Sequence, residues 1–329
     1  MEGKIDNDIK ERIEKLAGKY SVMGQDLSSY LDGLLHSKFL TYWDYIHLET
    51  LLSLQTPRTE FPDEEIFIIY HQITELYFKL IVREMRQLLD LHSGNLAEWK
   101  KRVARMVSYF KNLTHSFDVM VEGMEQDQFL KFRMALLPAS GFQSAQYRQI
   151  EIYSTPLIRL VKTDLRGKFR SDSPVPELYE AMYWKSGNLE LKTGRKTLTL
   201  QMFEKKYDDE LSALAQQYKE KNLAKAYENS PAEIRDNPDL RQLIRDYDSF
   251  ANLFWPLAHY KAAVRYLFRD PDVIAATGGT NWQKFLPPNF QRVIYFPQVW
   301  SEEEVAEWGK QWVLDLFREK VESKWSKIR

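Results

Sequence analysis

Six histidines and no cysteine set the chemistry open to this 329-residue chain. Without cysteine there is no thiolate nucleophile, disulfide, iron–sulfur cluster or thiolate-ligated zinc. Metal chemistry must rest on His36, His47, His71, His92, His115 and His259 with carboxylates. No H-E-x-x-H and no tight His/carboxylate cluster occurs, so a zinc hydrolase has little support. No G-x-S-x-G supports a serine triad. The Thr277-Gly278-Gly279-Thr280 loop lacks the GK[ST] ending of a phosphate cradle.

Three residues remain as candidates. His71 follows Phe67 by one turn within an apolar helical stretch, so the two share a face. It reads either as a polar group in an aromatic pocket or as a core histidine satisfied by a neighbour. His259 shares a face with Trp255, Ala262, Ala263 and Tyr266. The two alanines leave room beside the imidazole, which suits either a ligated flat macrocycle or close helix packing. Arg133, one turn after Phe129, either pairs with a carboxylate such as Glu151 or forks onto a ligand carboxylate. The following run, Pro138 to Arg148, is dense in small hydrogen-bonding residues and suits a site-lining loop or a helix cap.

The elements that would position them read as helices. Only 13 glycines leave little room for many tight turns. Two short amphipathic helices are expected over residues 6–36, broken near Gly24, and another over Thr41–Ser53. A long helix opens at Asp63, with acidic residues in its first turn. It carries two apolar stripes, Ile66/Ile69/Ile73/Leu76/Leu80 and Phe67/His71/Thr74/Phe78, which predict burial on both faces. Further helices are expected over 96–121, around 127–137 and over 238–269, where Pro256 should kink the helix or start a new one. Leu189–Leu200 alternates around Thr193-Gly194 and reads as a small β-hairpin. Ser301 begins a last helix with a capping-box pattern. Residues 154–235 read as an insertion on one helical domain spanning 1–329.

The charge balance of 46 basic to 47 acidic residues weighs against a nucleic-acid surface. The charged start MEGKIDNDIK and the lack of an 18-residue apolar run point to a cytoplasmic protein without a membrane span. Nine Trp, 18 Tyr and 18 Phe promise a thick aromatic interior suited to a flat apolar ligand.

Taken together, LTYWDYIHLETLLSLQ (40–55), DEEIFIIYHQITELYFK (63–79), FLKFRMALLPASGFQSAQYRQIE (129–151), His259 on its helix and ATGGT (276–280) resemble the tryptophan 2,3-dioxygenase family, relatives of the indoleamine dioxygenases. The resemblance runs mainly over 40–153, more thinly over 255–300, and fades over 154–250. It implies an all-α helical bundle enclosing haem b, with the small hairpin inserted. His259 matches the proximal iron ligand and Ser140 a serine near the haem edge. His71 matches the distal histidine that accepts the indole N–H. Phe67 matches the aromatic beside the indole, Arg133 the arginine that grips the carboxylate, and Thr277 a loop hydroxyl near the ammonium. Tyr42, Tyr45 and Ile46 match residues that close a neighbouring subunit's pocket, which implies a homotetramer.

The implied reaction inserts both atoms of O2 at the indole C2–C3 bond of L-tryptophan, or a related indole amino acid, to give N-formyl-kynurenine. A non-catalytic haem- or indole-binding sensor is the alternative. Phe129 stands where some members present a tyrosine that also bonds the carboxylate. The FWPLAH sequence before His259 lacks the basic residues expected near haem propionates, and the spacing from His259 to Thr277 is longer than the family pattern. A substituted tryptophan therefore stays among the expected substrates.

Overall fold

The computed structural model describes residues 6–24, 26–90, 95–136, 141–189, 193–267 and 292–310. The chain divides into two compact units, Met1–Gln55 and Thr56–Arg329. Helices dominate both, as the composition predicts. Among the described residues, β-structure is confined to two isolated antiparallel bridges, Val161 with Met182 and Leu189 with Lys196. Of the expected hairpin, whose residues 190–192 lie outside the described ones, one bridge is present, with Gly194 in the left-handed region. Its second arm does not form because Thr197 caps a helix that starts at Leu198.

The first unit holds α1 (Asn7–Val22), α2 (Leu27–His36), α3 (Tyr42–Ile46) and α4 (Leu48–Leu52). None of these helices buries a residue. Asp26 caps α2 by accepting from the Ser28 and Ser29 N–H groups, and Thr41 caps α3. The single helix expected over Thr41–Ser53 is split at His47, which adopts φ 52° and ψ 47°. A left-handed non-glycine residue cannot continue an α-helix, so the chain turns there and restarts as α4.

The second unit is built on α5 (Asp63–Asp90) and α6 (Leu96–Ser116), followed by α7 (Asp118–Glu122), α8 (Gln126–Phe132) and α9 (Ala145–Ser154). Phe117 separates α6 from α7, where one helix was expected. Short helices α10 (Val175–Glu180) and α11 (Tyr183–Ser186) lead to α12 (Leu198–Tyr218), α13 (Leu223–Glu228) and α14 (Ala232–Arg235). α15 (Pro238–Ser249) then runs through a π turn, Phe250–Phe254, into α16 (Trp255–Leu267). The expected disturbance at Pro256 takes the form of that π turn. α17 (Glu302–Ala306) starts with the predicted capping box between Ser301 and Glu304.

α5 lies against α6, α7, α8 and α9, and α16 lies against α6, α7 and α8. Of the two stripes on α5, the second is buried only in its later half, with Phe67 half-buried and His71 exposed. Thr74 and Phe78 point inward with Tyr70, Ile81 and Met85. Ile69, Ile73, Leu76 and Leu80 are exposed, so two-sided burial is not what the isolated chain does. A 3.6-residue period shows that a face is apolar but not what covers it.

Candidate functional site

The site is assembled where α5, α8 and α16 meet, with α7 against α5 and α16. Asp63 fixes the first approach. Its carboxylate accepts the Glu125 N–H at 2.6 Å, while its own N–H donates to the Gln128 side chain at 3.3 Å. This ties the start of α5 to the start of α8 and places Phe129 near Phe67, with ring centroids 6.3 Å apart. Tyr266 fixes the second approach: its hydroxyl donates to the Met124 and Val121 carbonyls at 3.1 and 3.2 Å. Its ring lies 4.7 Å from Phe129. The result is an aromatic cluster with Tyr70, Phe117, Phe132 and Tyr260 fully buried and Phe67, Phe129 and Trp255 partly so.

His71 and His259 enter this cluster from opposite helices. Both residues are exposed by surface area although protein atoms crowd around them, as side chains set in a concave surface do. His71 Nδ1 lies 2.7 Å from the Phe67 carbonyl oxygen, one turn back on α5. A carbonyl only accepts, so Nδ1 carries the proton and Nε2 keeps its lone pair. Burial lowers the basicity of His71; the Phe67 carbonyl and the Glu75 carboxylate oppose this without cancelling it. The Phe67 ring lies 4.1 Å from the imidazole.

Burial also drives His259 down to about 4, and the charge of His71 adds to the shift. Tyr70 links the two sides: its ring lies 6.1 Å from the His71 imidazole and 5.4 Å from Phe117, the ring that flanks His259. Phe117 lies 5.8 Å from the His259 ring and 5.0 Å from Trp255. Both histidines are therefore neutral at pH 7, in a low-polarity surrounding.

Arg133 follows α8 directly and is buried at 4% exposure. Burial lowers its basicity, yet a guanidinium stays charged at any ordinary pH. The pairing with Glu151 considered from sequence is not made. Glu151 accepts instead from Arg148 at 2.7 Å and from the Tyr183 hydroxyl at 2.5 Å. Arg148 stands three residues before Glu151 on α9, so helix geometry alone brings it within reach.

Of the other expected site residues, Tyr42 and Tyr45 are exposed in the first unit and Ile46 is half-buried there. Ser140 and Thr277 lie outside the described residues. Sequence reasoning missed Phe117 and Phe132, which wall the site. Phe132 could have been found as the i+3 partner of Phe129, whereas Phe117 sits at a helix break that no motif announces. Among the described residues, no group of three or more His, Asp or Glu converges as a metal-ligand set. A metal here would have to bring its other ligands with it, and a single neutral, accessible imidazole such as His259 suits that.

Comparison with known proteins bears on this arrangement. Residues 33–173 match the sequence model of a family described as Tryptophan 2,3-dioxygenase. That stretch holds His71, Phe67, Phe129 and Arg133 but not His259. Similar relatives include a tryptophan 2,3-dioxygenase of Anaeromyxobacter sp. (strain K), 43% identical over 121 residues, 36% of this chain and 45% of the relative. The tryptophan 2,3-dioxygenase of Sorangium cellulosum is 42% identical over 127 residues, covering 35% of this chain and 31% of that protein. The enzyme of that name from Xanthomonas euvesicatoria pv. vesicatoria is 35% identical over 150 residues, 43% of this chain and 50% of its own length. The matched stretch thus spans half or less of each of these relatives.

Proposed function

We propose that this chain, whose residues 33–173 match the tryptophan 2,3-dioxygenase family model, belongs to that family and is a haem-dependent dioxygenase that opens the indole ring of L-tryptophan or a close analogue to N-formyl-kynurenine. The observation that carries the reading is the pair of neutral histidines, His71 and His259, each packed against rings of the same aromatic cluster, from α5 and α16. His259 would hold the haem iron. Its low basicity keeps the ligating lone pair free of protons over the whole physiological range. The O2 chemistry at the indole C2–C3 bond belongs to the cofactor when bound.

The remaining work falls to the chain. Phe67 and Phe129 offer apolar faces to a flat indole. His71 presents Nε2 as an acceptor for the indole N–H. The Phe67 carbonyl fixes the tautomer, so no proton has to be rearranged when substrate enters. Arg133 offers two parallel donors to an amino-acid carboxylate, in surroundings dry enough to strengthen them. Grip at one end and a hydrogen bond at the other orient the ring. Phe129 adds no hydroxyl to the carboxylate end, which costs about 1 kcal/mol of binding relative to a tyrosine there.

Ser140 and Thr277 are assigned, on the resemblance alone, to the haem edge and the ammonium end. Tyr42, Tyr45 and Ile46 are assigned to closing the pocket of a neighbouring copy in a homotetramer; the exposure of the two tyrosines in the isolated chain accords with that. No helix among the described residues is long and apolar enough to cross a membrane, and we place the protein in the cytoplasm.

The test is direct. Haem-supplemented protein should show a Soret band that is lost in His259→Ala. The reduced, loaded protein should consume O2 with L-tryptophan and release a product with the mass of N-formyl-kynurenine. A chain that takes up no haem refutes the reading. Uptake of haem without turnover of any indole amino acid reduces it to a binding protein.

A further inference from the structure

The π turn that leads into the His259 helix has a particular hydrogen-bond problem. Within it the Trp255 N–H donates to the Phe250 carbonyl, five residues back. In the same register the next carbonyl, that of Ala251, should receive the N–H of residue 256. Residue 256 is proline and has none. Ala251 is fully buried, so water cannot supply the missing donor.

The Tyr147 hydroxyl supplies it. Tyr147 stands on α9, and its phenol donates to the Ala251 carbonyl at 3.2 Å. Burial pushes the phenol far above its ordinary range, so it remains a donor at every accessible pH. The next residue is held separately: Asn252 donates to Asp248 at 2.7 Å, and Asp248 also accepts the Tyr295 and Phe296 N–H groups and the Trp300 indole N–H.

The register decides where His259 points. In an α register Pro256 would orphan the Asn252 carbonyl and press its ring on it, while Tyr147 would face an acceptor already in use. Each residue of an α-helix turns about 100° around the axis. A one-residue change of register before Trp255 would therefore carry His259 off the cleft face. We propose that Tyr147 is a positioning residue whose hydroxyl replaces the N–H that Pro256 lacks, holds the π turn, and thereby keeps His259 turned into the cleft.

The inference rests on the reading of His259 as the iron ligand, and the experiment separates the two. The haem-free full chain is treated with diethyl pyrocarbonate, and modification of His259 is followed by peptide mass spectrometry with His71 as internal reference. Tyr147→Phe should slow His259 relative to His71 by about five-fold or more, which requires the cleft-facing register to fall from the major to a minor share of the population.

The same substitution is then made in a chain lacking Phe254 and carrying Pro256→Ala. One residue fewer and a restored N–H give a continuous α path between the same flanks, so His259 keeps its face without help. In that background Tyr147→Phe should leave the His259 rate unchanged and the Soret band of the haem-loaded protein intact. A Tyr147→Phe chain that folds only in the shortened background supports the proposal equally. Equal slowing in both backgrounds, misfolding in both, or no slowing in the parent overturns it. A parent chain with no Soret band refutes haem ligation, while the modification rates still decide the role of Tyr147.

Discussion

Two regions of the second unit use charged and polar residues in opposite ways. Around α9 and α11, Arg148, Glu151 and Tyr183 satisfy one another at 2.5–3.2 Å, and the Arg148 guanidinium also lies over the Tyr147 and Trp184 rings. Nearby, Ser154 and Tyr247 share a hydrogen bond at 2.7 Å. Charge meets opposite charge within the fold itself. In the cleft between α5, α8 and α16, two imidazoles pack against one aromatic cluster, and no carboxylate hydrogen-bonds to either among the described residues. A region that balances its own charges is a structural joint. A region that holds acceptors open at the cost of desolvation is arranged for something that is brought to it.

The largest expected effect breaks the joint. Arg148→Ala leaves Glu151 buried without its cation, and uncompensated buried charge costs about 3–5 kcal/mol. Chemical denaturation of the haem-free chain at pH 7 should show a loss of that size. Replacing Arg148 and Glu151 together by Met and Leu should restore most of it, because a buried pair has little net value against apolar packing. A double variant as unstable as the single would mean that the pair also organises its surroundings, and the contrast with the cleft would weaken.

The next effect tests whether the cleft is arranged for an amino acid. Arg133→Ala should weaken binding of L-tryptophan by about 10- to 100-fold, the usual range for a charge-assisted hydrogen bond in a desolvated site. Plain indole has no carboxylate and should bind within about two-fold of the parent protein. Equal losses for both ligands, measured by competition in the haem-loaded protein, would make Arg133 a structural cation like Arg148.

How much of this is legible in sequence depends on which interactions are local. The His71–Phe67 pairing is an i,i+4 relation on one helix, and the motif around it is readable. The Arg148–Glu151 bridge is i,i+3 and equally local, yet Arg133 competes for Glu151 on sequence grounds because both cations are near it in the chain. Pro256 announces a disturbance but not its kind. The π turn depends on Tyr147, which is 104 positions from Ala251 in the chain, and no period or motif connects them. The outer stripe of α5 shows the same limit. Ile69, Ile73, Leu76 and Leu80 have helical spacing, but their burial depends on whatever covers that face. The α3–α4 break at His47 is unreadable for another reason: a left-handed histidine has no sequence signal comparable to glycine.

The smallest effect concerns pH and sharpens the contrast most. His259 is held down to about 4 in the folded chain, against about 6.5 in an unfolded one. As pH falls from 6.5 towards 4 the unfolded chain takes up this proton first, so the fold loses stability across that window and loses no more below it. Above 6.5 the residue is neutral in both states and contributes nothing to the slope. His71, shifted in the same direction, adds to the loss.

His259→Ala should therefore leave the urea midpoint of the haem-free protein nearly unchanged at pH 7.5 and raise it at pH 4.5. The gain should be on the order of 1 kcal/mol once the ring's accessible surface is allowed for. Haem binding, limited only by this weak base, should persist at pH 5.5, where an ordinary histidine would be mostly protonated. Parallel stability curves for the variant and its parent would mean that bulk water reaches His259 freely. The cleft would then be an open groove rather than an enclosed one, and the low basicity that keeps the ligand nitrogen available would have to come from somewhere other than burial.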